Sequence, residues 1–174
     1  MARNLTAVFI SAATSSSCRP IILFEGVFDG STLRLWNGLG DLSWNAQTWL
    51  GNGWFQGIEG GDETTEVEAL DMAILLSGVP SSAVSLVLND QKQGADGSIY
   101  IGFLNASKAV IADPYPWWKG YYSHAEINEA ADESTIQLFY DSPLVDMGRP
   151  REGRWTHDAQ QKLFSGDLGF EYVI

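Results

Sequence analysis

Apolar and polar positions alternate with a period of two along most of this chain, and Gly, Asn, Asp and Pro interrupt the runs every few residues, which predicts short antiparallel strands. Residues 21–28 are apolar and begin with β-branched side chains. Asp29-Gly30 then supplies positive-φ positions, and Leu33 and Leu35 alternate with Thr32, Arg34 and Trp36, the pattern of a β-hairpin. Short strands at 42–44, 47–50 and 54–58, divided by Gly38, Gly40, Gly51, Gly53 and Gly57, read as a meander. Residues 63–77 begin with Glu63, Glu66 and Glu68 and turn hydrophobic at 72–76, so an exposed strand followed by a buried one is expected. Further strands are predicted at 98–104, 109–112, 117–122, 125–128 and 134–140 as a second antiparallel group. In the last of them Ile136, Leu138 and Tyr140 share one face and Thr135, Gln137 and Phe139 the other. Neither face is wholly polar, which predicts cover on both sides.

Helical periodicity is confined to three places. Residues 5–13 form a weakly amphipathic stretch. Pro80 and the capping residue Ser81 precede Ala83, Val84, Val87 and Leu88 at helical spacing, predicting a helix over 81–88. Thr156 can cap a helix over 156–164 that contains Ala159, Leu163 and Phe164, with Gly166 placed to end it, and 169–173 reads as strand-like. The expected fold is mainly β, an antiparallel barrel or sandwich with short helices at the N-terminus, near 81–88 and near 156–164. Its expected parts are an N-terminal helical or flexible segment (1–18), a β-rich body (19–147) and a C-terminal arm with a short helix (148–174).

Composition narrows the function. With 174 residues, 45% of them hydrophobic, the chain can bury a core without a metal or disulfide. Cys18 is its single cysteine, which excludes an intrachain disulfide and a cysteine-rich zinc site. The apolar run at 5–13 is short and has only Arg3 as a basic flank, so a helix is expected there and not a signal-peptide core. No run approaches the roughly 20 apolar residues of a membrane-spanning helix, and no membrane insertion is expected. Ten basic against 22 acidic residues give a formal charge of −12, a field that repels a phosphate backbone and argues against nucleic-acid binding. Such a charge serves solubility, or forms an acidic wall past which nucleic acid slides.

The residues that could carry chemistry form no catalytic pattern. His124 falls after two tyrosines and His157 in the first turn of the C-terminal helix, and neither sits in a recognisable motif. Gly-x-Ser-x-Gly, His-Glu-x-x-His and phosphate-binding Gly-rich loops do not occur. Glu63, Glu66, Glu68 and Asp71 are dense enough to read as a solvated face, whereas an acid catalyst needs burial to raise its pKa. No EF-hand-like loop is present. The expectation is therefore a protein that is not an enzyme, with no catalytic residue, metal site or cofactor. Seven tryptophans leave an alternative, a carbohydrate-binding β module with exposed rings. Trp36, Trp44, Trp49 and Trp54 are interleaved with Gly and Leu in strands, a setting that favours core or subunit interface.

Several segments in fixed order carry a resemblance. They are Arg19-Pro20, Leu33-Arg34-Leu35-Trp36-Asn37-Gly38 with Gly40-Asp41-Leu42, Gly51-Asn52-Gly53 before Ile58, and Glu63-Thr64. Leu75-Leu76-Ser77-Gly78-Val79-Pro80, Gly120-Tyr121-Tyr122 and Arg149-Pro150-Arg151 follow. Asp158-Ala159-Gln160 and the closing Gly166-Asp167-Leu168-Gly169-Phe170-Glu171-Tyr172-Val173 complete the set. Over nearly the whole chain this resembles the tail-tip and baseplate hub proteins of long, flexible-tailed phages and related gene-transfer particles. Trp155 and Ala159 depart from the family's closing motif, where an acidic or polar residue and Tyr are expected. The resemblance implies a virion part made in the host cytoplasm, a β body forming a ring at the distal end of a tail tube. Its implied partners are copies of itself and other tail proteins; contact with a host receptor is left open.

The charge pattern adds an interface. Arg149, Arg151 and Arg154 cluster around Pro150 and Gly153 in an otherwise acidic chain, which reads as a projecting basic arm. Guanidinium groups pair bidentately with carboxylates, so the arm is expected to meet Glu63, Glu66 or Glu68 of an adjacent copy while Phe170 and Tyr172 add apolar contact. The alternative is that the arginines offset charge within their own chain.

Overall fold

The computed structural model describes residues 5–28, 31–61, 70–78, 93–129, 134–148 and 156–172. Within them the strands are β1 (Pro20–Phe28), β2 (Ser31–Trp36), β3 (Leu42–Trp44), β4 (Gln47–Trp49), β5 (Phe55–Gly60), β6 (Asp71–Ser77), β7 (Asp96–Leu104), β8 (Val110–Glu129) and β9 (Ser134–Asp141). The helices are α1 (Ala7–Ala13), α2 (Val145–Gly148) and α3 (His157–Leu163). Seven strands make one sheet in the order β2-β1-β7-β8-β9-β6-β5, every neighbouring pair antiparallel, and β3 and β4 make a separate ladder. The fold is thus mainly β, an open antiparallel sheet with a sandwich-like second layer, with short helices near the N-terminus and at 157–163. The helix expected over 81–88 and the acidic strand expected from residue 63 lie outside the described residues.

Alternation in sequence becomes rows of side chains in space. Opposite residues of neighbouring strands point to the same side. Met72, Tyr140 and Tyr122 therefore form one row across β6, β9 and β8, and Ile74, Leu138 and Ala125 form the next. Leu76, Ile136 and Ile127 form a third. Leu35 of β2 and Phe55 of β5 stand on strands at opposite ends of the sheet order yet join the same buried cluster, so the sheet curls around its core. The peptide chain also steps between the two margins there. Leu50 N–H donates to the Arg34 carbonyl at 2.9 Å and its carbonyl accepts from Trp36 N–H at 3.2 Å, while Ser77 N–H reaches the Trp54 carbonyl at 2.9 Å.

The other side of β1 is covered by the small ladder. Ile21 and Leu23 pack with Trp36, Leu42 and Trp49 in a second core, bordered by Trp44 and Tyr100. Trp44 pairs with Gln47, so Asn45 and Ala46 form a two-residue loop, both with φ 54°, the conformation of a tight hairpin turn. Trp36 fixes the ladder's approach by donating its indole N–H to the Gly40 carbonyl at 2.8 Å. At one end α1 begins at Thr6, whose hydroxyl accepts from Phe9 N–H at 3.3 Å. Phe9 then packs edge-on against Phe103 at 4.9 Å and Tyr115 at 6.2 Å.

Three expectations need correction. Residues 42–58 do not form a meander: after Gly51 and Gly53, the latter at φ 81°, β5 leaves β4 and pairs with β6 across a residue-skipping bulge. The separate strands expected at 109–112, 117–122 and 125–128 are one 20-residue strand, β8. Pro114 and Pro116 do not break it, because its register against β7 shifts around Tyr115 and Trp118, and bulges are where a strand tolerates a missing N–H. Finally, 169–172 is not strand. Gly166 at φ 88° reverses the chain after α3, and Glu171 N–H bonds the Leu168 carbonyl at 3.1 Å, leaving these residues in turns.

Candidate assembly surfaces

The C-terminal segment is held mainly by one carboxylate. Thr156 caps α3 by accepting from Ala159 N–H at 3.3 Å, and Asp167 then gathers the chain that follows. Its Oδ2 accepts from the Gln160 amide at 2.6 Å and its Oδ1 from Gly169 N–H at 2.8 Å, while its carbonyl accepts from the Gln161 amide at 2.6 Å. The Gln160 amide, helped by the Gly169 N–H and the nearby His157, holds the Asp167 carboxyl below its ordinary range. This frame displays apolar side chains to solvent: Leu163, Phe164 and Leu168 are mostly exposed, Tyr172 is 89% exposed, and α3 buries no residue.

Of the residues expected at an interface, Tyr172 is thus presented outward and Phe170 is half-buried. Arg149, Arg151 and Arg154, with Glu63, Glu66 and Glu68, lie outside the described residues. What sequence reading missed is the exposure of Leu163, Phe164 and Leu168. The helical spacing of Leu163 and Phe164 resembles that of a helix packed on a core, and the signal that distinguishes them is the polar, hydrogen-bonded run Gln160-Gln161…Asp167 beside them.

A second surface lies at the other end of the chain. Val8 and Ala12 of α1, Arg19, and Phe103, Leu104 and Ile111 of β7 and β8 line an open cleft of about 250 Å³. Val8, one of its lining residues, is half-exposed. Cys18, exposed, sits next to Arg19 at its rim.

The candidate chemical groups are placed structurally. His124 stacks flat on Phe139, ring centroids 4.5 Å apart and planes 5° from parallel. Arg34 and Glu25, opposite one another on β2 and β1, form an ion pair of 2.6 Å. Among the described residues no three His, Cys, Asp or Glu side chains converge as metal ligands, and no helix is long and apolar enough to cross a membrane. Trp36 and Trp49 are buried, and Trp44, Trp54, Trp117 and Trp118 are half-buried, so the described indoles line packed surfaces and do not stand out as sugar platforms.

Neither a family model nor a curated protein sequence matches the chain. A solved structure does match in fold: a chain from the virion of a native gene transfer agent particle superimposes with a TM-score of 0.60 at 11% identity, over 87% of this chain and 49% of that one. The present chain spans about half the length of that neighbour.

Proposed function

We propose that the chain is a non-enzymatic structural subunit of a phage-type tail tip or baseplate hub, one of several copies that ring the distal end of a tail tube through which DNA passes. The observation that carries this reading is the fold shared, over 87% of the chain, with a component of a gene transfer agent virion. It is supported by apolar side chains left in solvent on a rigidly framed C-terminal segment, which is how an assembling subunit differs from a free-standing one. The β body (19–147) builds the ring wall, and the flanking segments, 1–18 and 148–174, reach neighbours.

In this reading Arg149, Arg151 and Arg154 meet Glu63, Glu66 or Glu68 of an adjacent copy, and Phe170 and Tyr172 add apolar contact. Copies of the chain and tube or tip subunits are the partners. With a formal charge of −12, the surface left toward the lumen repels phosphate, so passing DNA does not adhere and no nucleic-acid site is required. Changing Arg149, Arg151 and Arg154 together to Glu tests the arm. The expected product is folded by circular dichroism and missing from purified tails; normal incorporation would overturn it.

A further inference from the structure

In a chain carrying −12, the charge is unevenly spread. No acidic residue precedes Glu25, and among the described residues the only charged side chain lining the cleft beside α1 is Arg19. The cleft has an apolar floor of Phe103, Leu104 and Ile111 and an apolar lip at Val8 and Ala12. At the other end, the Asp167-framed segment offers the complementary features: exposed Phe164, Leu168 and Tyr172, and exposed carboxylates at Asp158 and Glu171. Over residues 156–172 the acids Asp158, Asp167 and Glu171 outnumber the one base, Lys162. Most of the acidic molecule repels such a segment, whereas the α1 end attracts it.

We infer that the cleft between α1 and the β7–β8 end is the seat of the C-terminal segment of a second copy, with an aromatic ring of Phe164 or Tyr172 on the Phe103–Ile111 floor and Glu171 or Asp158 facing Arg19. Within one molecule the cleft and the apolar side chains of the segment are open at the same time, so among the described residues neither surface fills the other. The contact joins two different surfaces, which makes it head-to-tail, and a head-to-tail contact propagates and closes into a ring where its rotation allows. The inference rests on the self-assembly part of the proposed function and leaves aside the arginine arm and the tail-tip location.

Cys18 at the cleft rim provides the test, because it is the only cysteine. In the full chain carrying Glu171→Cys, mild oxidation should link residue 171 of one copy to Cys18 of the next, giving a ladder of covalent dimers and larger species on a non-reducing gel. Docking raises the local thiol concentration toward the millimolar range, so at micromolar protein the ladder should form at least about tenfold faster than with a control Thr48→Cys on the exposed β4. Adding Cys18→Ser should abolish it, and adding Phe164→Asp with Leu168→Asp should slow it to the control rate. An intrachain link, or a ladder no faster than the control, would overturn the inference. The outcome does not depend on incorporation into particles, so it separates this contact from the tail-tip reading.

Discussion

Tyr140 shows how single residues decide the packing. Fully buried near the C-terminal end of β9, its ring meets Phe24 and Tyr122, each at 5.7 Å, and Trp118 at 6.3 Å, all edge-on. Gly97 and Gly26 on β7 and β1 make the room for it, since a Cβ on Gly97 would overlap the ring. Gly97→Ala is therefore expected to cost about 1–3 kcal/mol in a denaturant titration, through overpacking and not through backbone conformation. The alternation of Ile136, Leu138 and Tyr140 was readable in sequence. The need for glycine at 97 was not, because its partner stands two strands away. The same scale tests the sugar alternative. Trp49→Ala should destabilise by about 3–5 kcal/mol in thermal melts, as removal of a buried ring does, and soluble oligosaccharides should leave the intrinsic tryptophan fluorescence unchanged.

At the scale of elements, hairpins with tight turns were legible and long-range pairings were not. The alternating runs on either side of Asp29-Gly30 predicted the β1–β2 pairing, and the ladder places Phe28 opposite Ser31. The prolines that suggested a break between 112 and 117 misled because bulge geometry depends on the partner strand, β7, which local sequence does not contain. The C-terminal segment was half-legible: Thr156 and Gly166 marked the ends of α3, but the role of Asp167 arises from groups that meet only once the turn has formed. That role gives a pH prediction. Because the Asp167 carboxyl is held below its ordinary value of 3.8, its ordering effect is fully present above that value and is lost as the pH falls through the lower folded-state value. Amide exchange at Gly169 should be protected at neutral pH and accelerate beyond the normal pH dependence only under strongly acidic conditions. In Asp167→Asn the protection should be weaker at neutral pH, and the acid-dependent loss should disappear.

For the molecule as a whole, composition gives the sign of its charge and the fold decides which apolar side chains stay exposed. The chain is acidic with no acid before Glu25, and near its other end it holds Leu163, Phe164, Leu168 and Tyr172 in solvent, the features on which the proposed assembly rests. The placement of those patches could not be read from sequence, since exposure of Leu163 or Tyr172 is a property of the packed chain. Electron cryomicroscopy of particles whose genome encodes this chain tests the proposed ring-forming role at a tail tip. The expected result is a closed ring at the distal end of the tail tube into which the seven-stranded sheet of each copy can be fitted, with the C-terminal segment reaching the adjacent copy. Particles whose tail tips contain no density for this fold, and whose purified tails lack the chain by mass spectrometry, would contradict it.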